Sequence, residues 1–504
     1  LQKILTINVP FTAPWALPYG SAVVNGILDH HGYQVKSWDL SIDTVRQFRD
    51  QPEYETFQQV LSIGGYVQGI VSKSFLRKVL NWLRAQVRDQ VNEHRPDIIL
   101  LSVFSSQSVD FVIPLVSVIR DLYPDVYILV GGRGLDNIER RTQLNYGEYF
   151  ATYLPVNATY LGDAENDLLT ILEKRYQGCY VAQPVSATDL EGVPAANWNG
   201  IIFDNYDGFS TGDLRIPVTA SKGCVRECTF CDVAGSWPKY IYRKGSNVGQ
   251  EIVDLYRQTG MRKFEFTDNL INGSISNFRA MNQVIAEHIP NTIDYMGYAI
   301  CRSKTNCPES DFELAAVAGA KLFKVGIETG SEKVRYDIKK KFTNDDIDWF
   351  TINCAKYNIK QAWLMFTGYP TETEEDFKET LKLLKEYSVF ARQGLITVFL
   401  SLPMMLTSNS AFMRNYAIDY GLDHNKDDSW SDFFWTSTKH PENTFDVRVD
   451  RWRRFMDAIE QYGYKNDSMR QTEKFIELEG LEKIYNAKQT KKVIPITASN
   501  FNLN

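Results

Sequence analysis

The sequence has no long apolar run: its longest, such as DIILLSVF from Asp97, are broken by polar residues. They fall well short of the ~18–20 apolar residues a membrane helix needs, so no membrane span is expected. The amino-terminal LQKILTINVP reads as a short strand. No basic region, apolar core and small-residue cleavage site follow it, so a cytoplasmic location is expected. Positive charge is not in excess either, since 55 Lys and Arg stand against 62 Asp and Glu, a formal net charge of -7. Broad nucleic-acid binding depends on clustered Lys and Arg, so no nucleic-acid partner is expected, although a local basic groove stays open. Cysteine numbers seven, an odd count with none before Cys179. A disulfide framework is therefore not expected, and metal or redox use is. Tandem repeats and low-complexity tracts are lacking.

What is present is a long chain of 504 residues, 44% hydrophobic, which should divide into two or three domains. Strand-like and helix-like segments alternate through residues 1–180, the pattern of an α/β, doubly wound (flavodoxin-like) parallel sheet. Its strands are expected at KILTINV, QVKSWDL, DIILLSV, VYILVGG and ATYLG, with an inserted helical hairpin between Ser41 and Arg95. Residues 181–212, rich in Gly, Asp, Asn and Ser, read as a linker. A second alternation over 213–410, from RIPVTAS through KFEFTDN, DYMGYAI, LFKVGIE and QAWLMFTG to LITVFLSL, predicts six β/α repeats. That is a partial (β/α)6 TIM-type barrel rather than the full eight. Residues 411–504 are expected to be small and mostly helical, with a helix at VDRWRRFMDAIEQYG.

The most specific stretch is SKGCVRECTFCDV, where Cys224, Cys228 and Cys231 stand at C-x3-C-x2-C spacing. An iron–sulfur cluster held by three thiolates keeps one iron free for an outside ligand, which suits chemistry better than simple electron relay. The alternative is a structural zinc site, which needs four ligands. No histidine lies between His94 and His288 and no second C-x2-C pair exists, though a distant Cys could close such a site. Cys179, Cys301, Cys307 and Cys354 are scattered, as buried small hydrophobes usually are.

The triplet, with Phe230 before its third cysteine and placed just after the first strand of a β/α barrel, resembles the radical S-adenosylmethionine (SAM) superfamily. The resemblance implies that Cys224, Cys228 and Cys231 hold a [4Fe-4S] cluster whose fourth iron is chelated by the methionine amino and carboxylate groups. Reductive cleavage would then give a 5'-deoxyadenosyl radical. It also implies SAM-binding roles for Phe230, for Thr267, Asp268 and Asn269 after the second strand, for Arg302 toward the methionine carboxylate, and for Glu328 near the ribose and amino group. Surface pairing or helix capping is the competing reading for each residue taken singly. In FTGYPTETEEDF, Gly368 and Pro370 resemble a G-x-P-G-E-T turn, with Glu372 and Thr373 starting the next helix. Thr371 stands where that turn has a second glycine, and Thr does not readily take positive φ. A well-capped helix start would explain TETEED without any ligand.

The amino-terminal domain resembles those of cobalamin-binding radical enzymes. Ser102, Val103 and Phe104 are followed by 26 residues and then Gly131-Gly132, similar to an S-x-L spacer G-G pattern with Phe for Leu. The D-x-H half of that pattern is absent from PFTAPWALPYG, so no histidine is offered to cobalt. The resemblance implies cobalamin-binding roles for Pro14, Tyr19 and Gly20, for Ser102, Phe104 and Ser105, for Gly131 and Gly132, and for Gly162 and Glu165. GYQVKSWDL, ending in Asp39, belongs to the same likeness. A domain that keeps this fold but has lost the cofactor is the competing reading.

The expectation is a cobalamin-dependent radical SAM enzyme methylating an unactivated carbon or a phosphinate centre of a small-molecule substrate. An external electron donor of the flavodoxin or ferredoxin type would serve it, and the strand C-termini of both domains would face one cavity. Cyclisation, oxidation or rearrangement without net methyl transfer is the second enzyme reading, and a noncatalytic metal-binding module is the reading from another class. A methylthiotransferase is disfavoured because such enzymes carry a second cysteine-bound cluster in the amino-terminal domain. Trp430, Phe433, Phe434, Trp435, Trp452 and Phe455 are expected to cover the barrel, with core packing the role of most.

Overall fold

The computed structural model describes residues 2–62, 66–67, 71–136, 142, 144–406, 411–423, 435–466 and 493–494. The chain divides into two compact units, one formed by residues 1–215 with 486–504 and the other by residues 216–485. Among the described residues no helix is long and apolar enough to cross a membrane.

In the first unit the expected strands form as β1 (Lys3–Asn8), β2 (Gln34–Asp39), β3 (Ile98–Ser102), β4 (Tyr127–Gly131) and β5 (Ala158–Leu161). A sixth, β6 (Gly178–Val181), was not expected. Its residues are half-buried or exposed, as befits a sheet edge, so no apolar run advertises it. All pair in parallel, in the order β2-β1-β3-β4-β5-β6. The order reverses between β1 and β3, the switch point at whose strand C-termini open α/β sheets bind ligands. Ile4, Leu5, Ile7, Ile98, Ile99 and Leu101 are almost fully buried, which accounts for strands that read as continuous apolar runs.

Instead of a hairpin, the inserted segment forms three helices, Leu40–Phe48, Tyr54–Ser62 and Lys73–His94. Edge-on rings hold them together: Phe48–Phe75 at 5.8 Å, Phe57–Phe75 at 5.6 Å and Phe11–Phe57 at 5.8 Å. Beyond β6, the Gly- and Asn-rich stretch is ordered by backbone bonds to this unit. Asn199 O accepts from Ser37 N at 2.8 Å, Asn199 Nδ2 donates to Val35 O at 3.0 Å, and Asn197 N donates to Ala22 O at 2.9 Å. The two bonds of Asn199 occupy the outer edge of β2. Gly200 makes the approach possible, with φ +91° and no room for a Cβ against Ser37 O.

The second unit carries the six expected β/α strands, β7 (Ile216–Val218), β8 (Lys263–Phe266), β9 (Asp294–Ala299), β10 (Ala320–Glu328), β11 (Lys360–Met365) and β12 (Ile396–Leu400). They pair in parallel and in sequence order, with a short seventh strand, β13 (Lys465–Asn466), beside β12. The sheet is open, with β7 and β13 as its edges, so the barrel is incomplete. The expected carboxy-terminal helix is Phe445–Tyr462, its start capped by Thr444 Oγ1. Trp435, Trp452 and Phe455 are buried, in keeping with core packing, whereas Trp430, Phe433 and Phe434 lie outside the described residues.

Gly200→Ala forces a methyl group against Ser37 O at a positive φ. It is expected to destabilise the first unit by about 1–3 kcal/mol and to speed limited proteolysis within residues 181–215. Urea unfolding and digestion time courses against the parent chain check this.

Candidate functional site

The cysteine loop begins after β7, and its base is tied three ways. Ser221–Lys222 pairs antiparallel with Ile241–Tyr242, closing the loop into a ring of chain. Gly223 takes φ +81°, and a Cβ there would sit 2.5 Å from Lys239 O. The Asp268 carboxylate, just beyond β8, accepts from Ala220 N at 2.9 Å and from Ser221 Oγ at 2.5 Å. Asp268 is 1% exposed, and burial pushes its pKa up to about 6 against the pull of those donors. Both its oxygens are engaged by the chain, so it is placed to position the loop.

The three thiols are free and half-buried. Cys231 N donates to Cys228 O at 3.1 Å, and Arg226 N donates to Cys224 Sγ at 3.4 Å. Burial pushes the Cys228 thiol up to about 11, with the nearby Lys340 ammonium opposing it; burial also raises Cys231, opposed by the Val233 N–H. Thiols this reluctant to ionise would release their protons to solvent only when a metal centre binds and supplies the compensating positive charge. A soft, all-thiolate set on one short loop suits an iron–sulfur cluster.

The middle of the loop is also fixed. Thr229 N donates to Ile338 O at 3.1 Å, and the Thr229 hydroxyl lies 2.9 Å from the Tyr369 hydroxyl, itself 2.9 Å from that of Tyr420. Phe230 meets Phe366 edge-on at 5.2 Å. Cys228 and Phe230 thus pack against a core of Ile338, Phe366, Tyr369, Phe412 and Trp435, which draws in the carboxy-terminal region.

The remaining candidates in this unit sit at neighbouring strand ends. The Thr267 hydroxyl is exposed, 2.6 Å from that of Thr219, and Asn269 is half-buried. Arg302 is oriented by backbone carbonyls, donating from Nε and Nη2 to Asn272 O and from Nη2 to Gly273 O at 2.5 Å. Burial, then the charge of Arg226, lowers its pKa, and Cys224 acts on it too. Glu328 ends β10 beside a register shift, at φ +67°, and pairs with Lys340 at 2.7 Å. Lys340, Asn272 and Gly326 were not expected. Lys340 lies in the run KKK, which reads as solvated surface, and only the glycine two residues before Glu328 hints at crowding.

Gly368 faces the chain itself. At φ +88°, a Cβ there would meet Arg448 Cδ at 2.5 Å, and its N–H donates to Glu372 Oε2 at 2.8 Å. Glu372 is buried, its pKa raised to about 7 by desolvation with Arg451 opposing. Thr371 keeps negative φ, and Thr373 with Asp376 forms a capping box, so the turn serves as a helix start braced by the carboxy-terminal helix.

In the first unit the candidates fall along the C-terminal edge of the sheet. Phe104 after β3 is 69% exposed, and Trp15 after β1, which was not expected, is 65% exposed. Ser102 ends β3, and a Cβ on Gly20 would lie 3.9 Å from Ser102 Oγ. Ser105 precedes the helix Ser106–Leu122. Gly131 has ordinary contacts, but a Cβ on Gly132 at φ +112° would collide with Val103 O, and one on Gly162 at φ +110° would lie 2.9 Å from Ala182 Cβ. Those two glycines are therefore accounted for by chain packing. Tyr19 stacks on Trp198 at 6.3 Å, Pro14 O accepts from Asp207 N at 3.0 Å, and Glu165 lies in the first turn of the helix Ala164–Glu173. Asp39 is a hub: its carboxylate accepts from Asn8 Nδ2 at 2.8 Å, from Tyr206 Oη, and from Ser41 N and Ile42 N.

Residues 218–384 match the family model of the radical SAM superfamily. The anaerobic magnesium-protoporphyrin IX monomethyl ester cyclase of Synechocystis sp. is 24% identical over 319 residues, 60% of this chain and 62% of that protein. The chain thus spans less than two thirds of that relative. Among solved structures, the radical S-adenosylmethionine methyltransferase TsrM from Kitasatospora setae, with tryptophan and a SAM analogue bound, superimposes with a TM-score of 0.61. It covers 85% of this chain and 79% of its own at 17% identity. The cobalamin-dependent radical enzyme OxsB, with aqua-cobalamin and SAM bound, gives a TM-score of 0.60, covering 97% and 71% at 13% identity. These likenesses establish the fold.

Asp268 binds its proton more tightly folded than unfolded, with a pKa of about 6 against 3.8, so its contribution to stability is present at low pH and lost as pH rises through that window. Asp268→Asn is expected to remove this fall. Unfolding midpoints of both chains between pH 4 and pH 7, in the same metal-loaded state, should diverge in the variant's favour as pH rises.

Proposed function

We propose that this chain, which carries a radical SAM domain, is a cobalamin-dependent radical enzyme that methylates an unactivated carbon or a phosphinate centre of a small molecule. The observation that carries the reading is the set of three free thiols on one braced loop at the C-terminal side of a parallel sheet. Cys224, Cys228 and Cys231 would hold a [4Fe-4S] cluster, leaving one iron for the amino and carboxylate groups of SAM. When bound, the cluster supplies the electron that cleaves SAM to methionine and a 5'-deoxyadenosyl radical, and cobalamin supplies the methyl carrier.

The chain's residues then bind and orient. Arg302, held by Asn272 O and Gly273 O, is offered as a donor to the methionine carboxylate. Thr267 and Asn269 provide polar groups at the end of β8, next to the loop. Asp268 holds the loop base, and Phe230 walls the apolar side. In the first unit, exposed Phe104 and Trp15 beside the switch point support a flat apolar ligand such as a corrin. Ser102 and Gly131 leave room for polar contacts along the same edge. The partners would be the small-molecule substrate and a low-potential one-electron donor.

The cyclase from Synechocystis favours a second reading, in which the same radical drives ring closure or oxidation without net methyl transfer. Labelled SAM separates the two, since methylation moves the methyl label into product and cyclisation leaves it in methionine.

Three measurements test the proposal. After anaerobic reconstitution the parent chain is expected to bind close to four irons and four sulfides and to form 5'-deoxyadenosine with dithionite. Cys228→Ala should drop that product to the level of the no-enzyme control; undiminished product removes the cluster assignment. Hydroxocobalamin should stay with the chain through desalting, and its complete loss would remove the cobalamin step.

A further inference from the structure

Between the radical-forming loop and the end of β10 lies a buried ion pair that the fold goes to some length to build. Lys340 Nζ stands 2.7 Å from Glu328 Oε1, and the two side chains are 10% and 11% exposed. A buried pair of this kind is weak evidence for stability, because desolvating both charges costs about what their attraction returns. Its surroundings add further cost. Glu328 takes φ +67° at a register shift between β10 and β11. Lys340 is flanked by Lys339 at φ +67° and Lys341 at φ +57°, so a left-handed residue on each side turns one lysine of three inward. Such backbone in non-glycine residues is strained and clusters at functional sites. Gly326 leaves the space, since a Cβ there would lie 2.5 Å from Lys340 Nζ.

The pair lies on chain that packs beside the cysteine loop, where Ile338 shares a core with Cys228 and Phe230. The segment bearing Lys340 is fastened to the loop by the 3.1 Å bond from Thr229 N to Ile338 O. Lys340 is near enough for its charge to act on Cys228 and Cys224.

We infer that Lys340 is a positioning residue that sets the redox poise of the site: its buried ammonium, held by Glu328, makes the metal centre on Cys224, Cys228 and Cys231 easier to reduce. The inference rests on the cluster reading of those cysteines. A one-electron reduction adds one negative charge to a [4Fe-4S] centre, and a fixed positive charge in a poorly solvated setting stabilises the more negative state. Glu328 tempers the effect and keeps the lysine from swinging to solvent.

The two partners therefore predict shifts of opposite sign. The test is an EPR-monitored redox titration of anaerobically reconstituted full-length chain, without SAM. In Lys340→Gln the reduced fraction at a fixed donor potential should fall roughly tenfold, equivalent to ~59 mV for a one-electron couple. In Glu328→Gln the midpoint should move the other way. Lys340→Arg should keep the parent value, since it keeps the charge. Midpoints equal to the parent's in Lys340→Gln and Glu328→Gln chains with full iron content overturn the inference and leave the cluster reading intact. Loss of iron in both variants overturns it as well, because the pair is then structural. A parent chain with no reducible cluster overturns the cluster reading and the inference with it.

Discussion

The second unit depends on holding an irregular loop still. The loop that carries the three thiols has little helix or strand hydrogen bonding of its own, so its ties come from outside it. Asp268 grips the base from the end of β8 through Ala220 and Ser221. The 335–340 segment grips the middle through Thr229. Gly223 lets the two sides of the loop approach. Each tie comes from a different part of the chain, so the site forms only once the sheet has assembled.

The carboxy-terminal region extends the same principle. Helix Phe445–Tyr462 drives Arg448 and Arg451 into the interior, where Arg448 donates to Asn443 O and Trp435 O and lies 3.8 Å above the Trp435 ring. Arg451 meets Glu372 at 3.2 Å. Removing one member of so buried a pair leaves a charge uncompensated, so the turn at Gly368 and the helix are bound into one structure. Through Trp435, Phe412 and Tyr420 that structure reaches Phe230 and Cys228. A region that reads as a cover proves to be part of the wall behind the cysteines.

The first unit uses a carboxylate in a comparable way. Asp39 ends β2, caps the helix Leu40–Phe48 and receives Tyr206 from the segment beyond β6. Burial raises its pKa while its four donors oppose the rise.

The sequence by itself determined the strands, the two-part division into α/β alternations and the cysteine triplet. Each is written in a short window: apolar runs such as KILTIN and IILLS give buried parallel strands, and thiols three or four residues apart cannot stray far from one another. It missed β6, whose half-exposed residues carry no apolar signal. The direction in which a polar side chain points was decided by the tertiary structure alone. Asp268 looks like a ligand group and turns to the loop base, Gly368 looks like a ligand cradle and makes way for Arg448, and Lys340 looks like surface and is buried beside Glu328. In each case the partner lies 12 to 80 residues away, a span over which no local periodicity operates, so only packing brings the charges together.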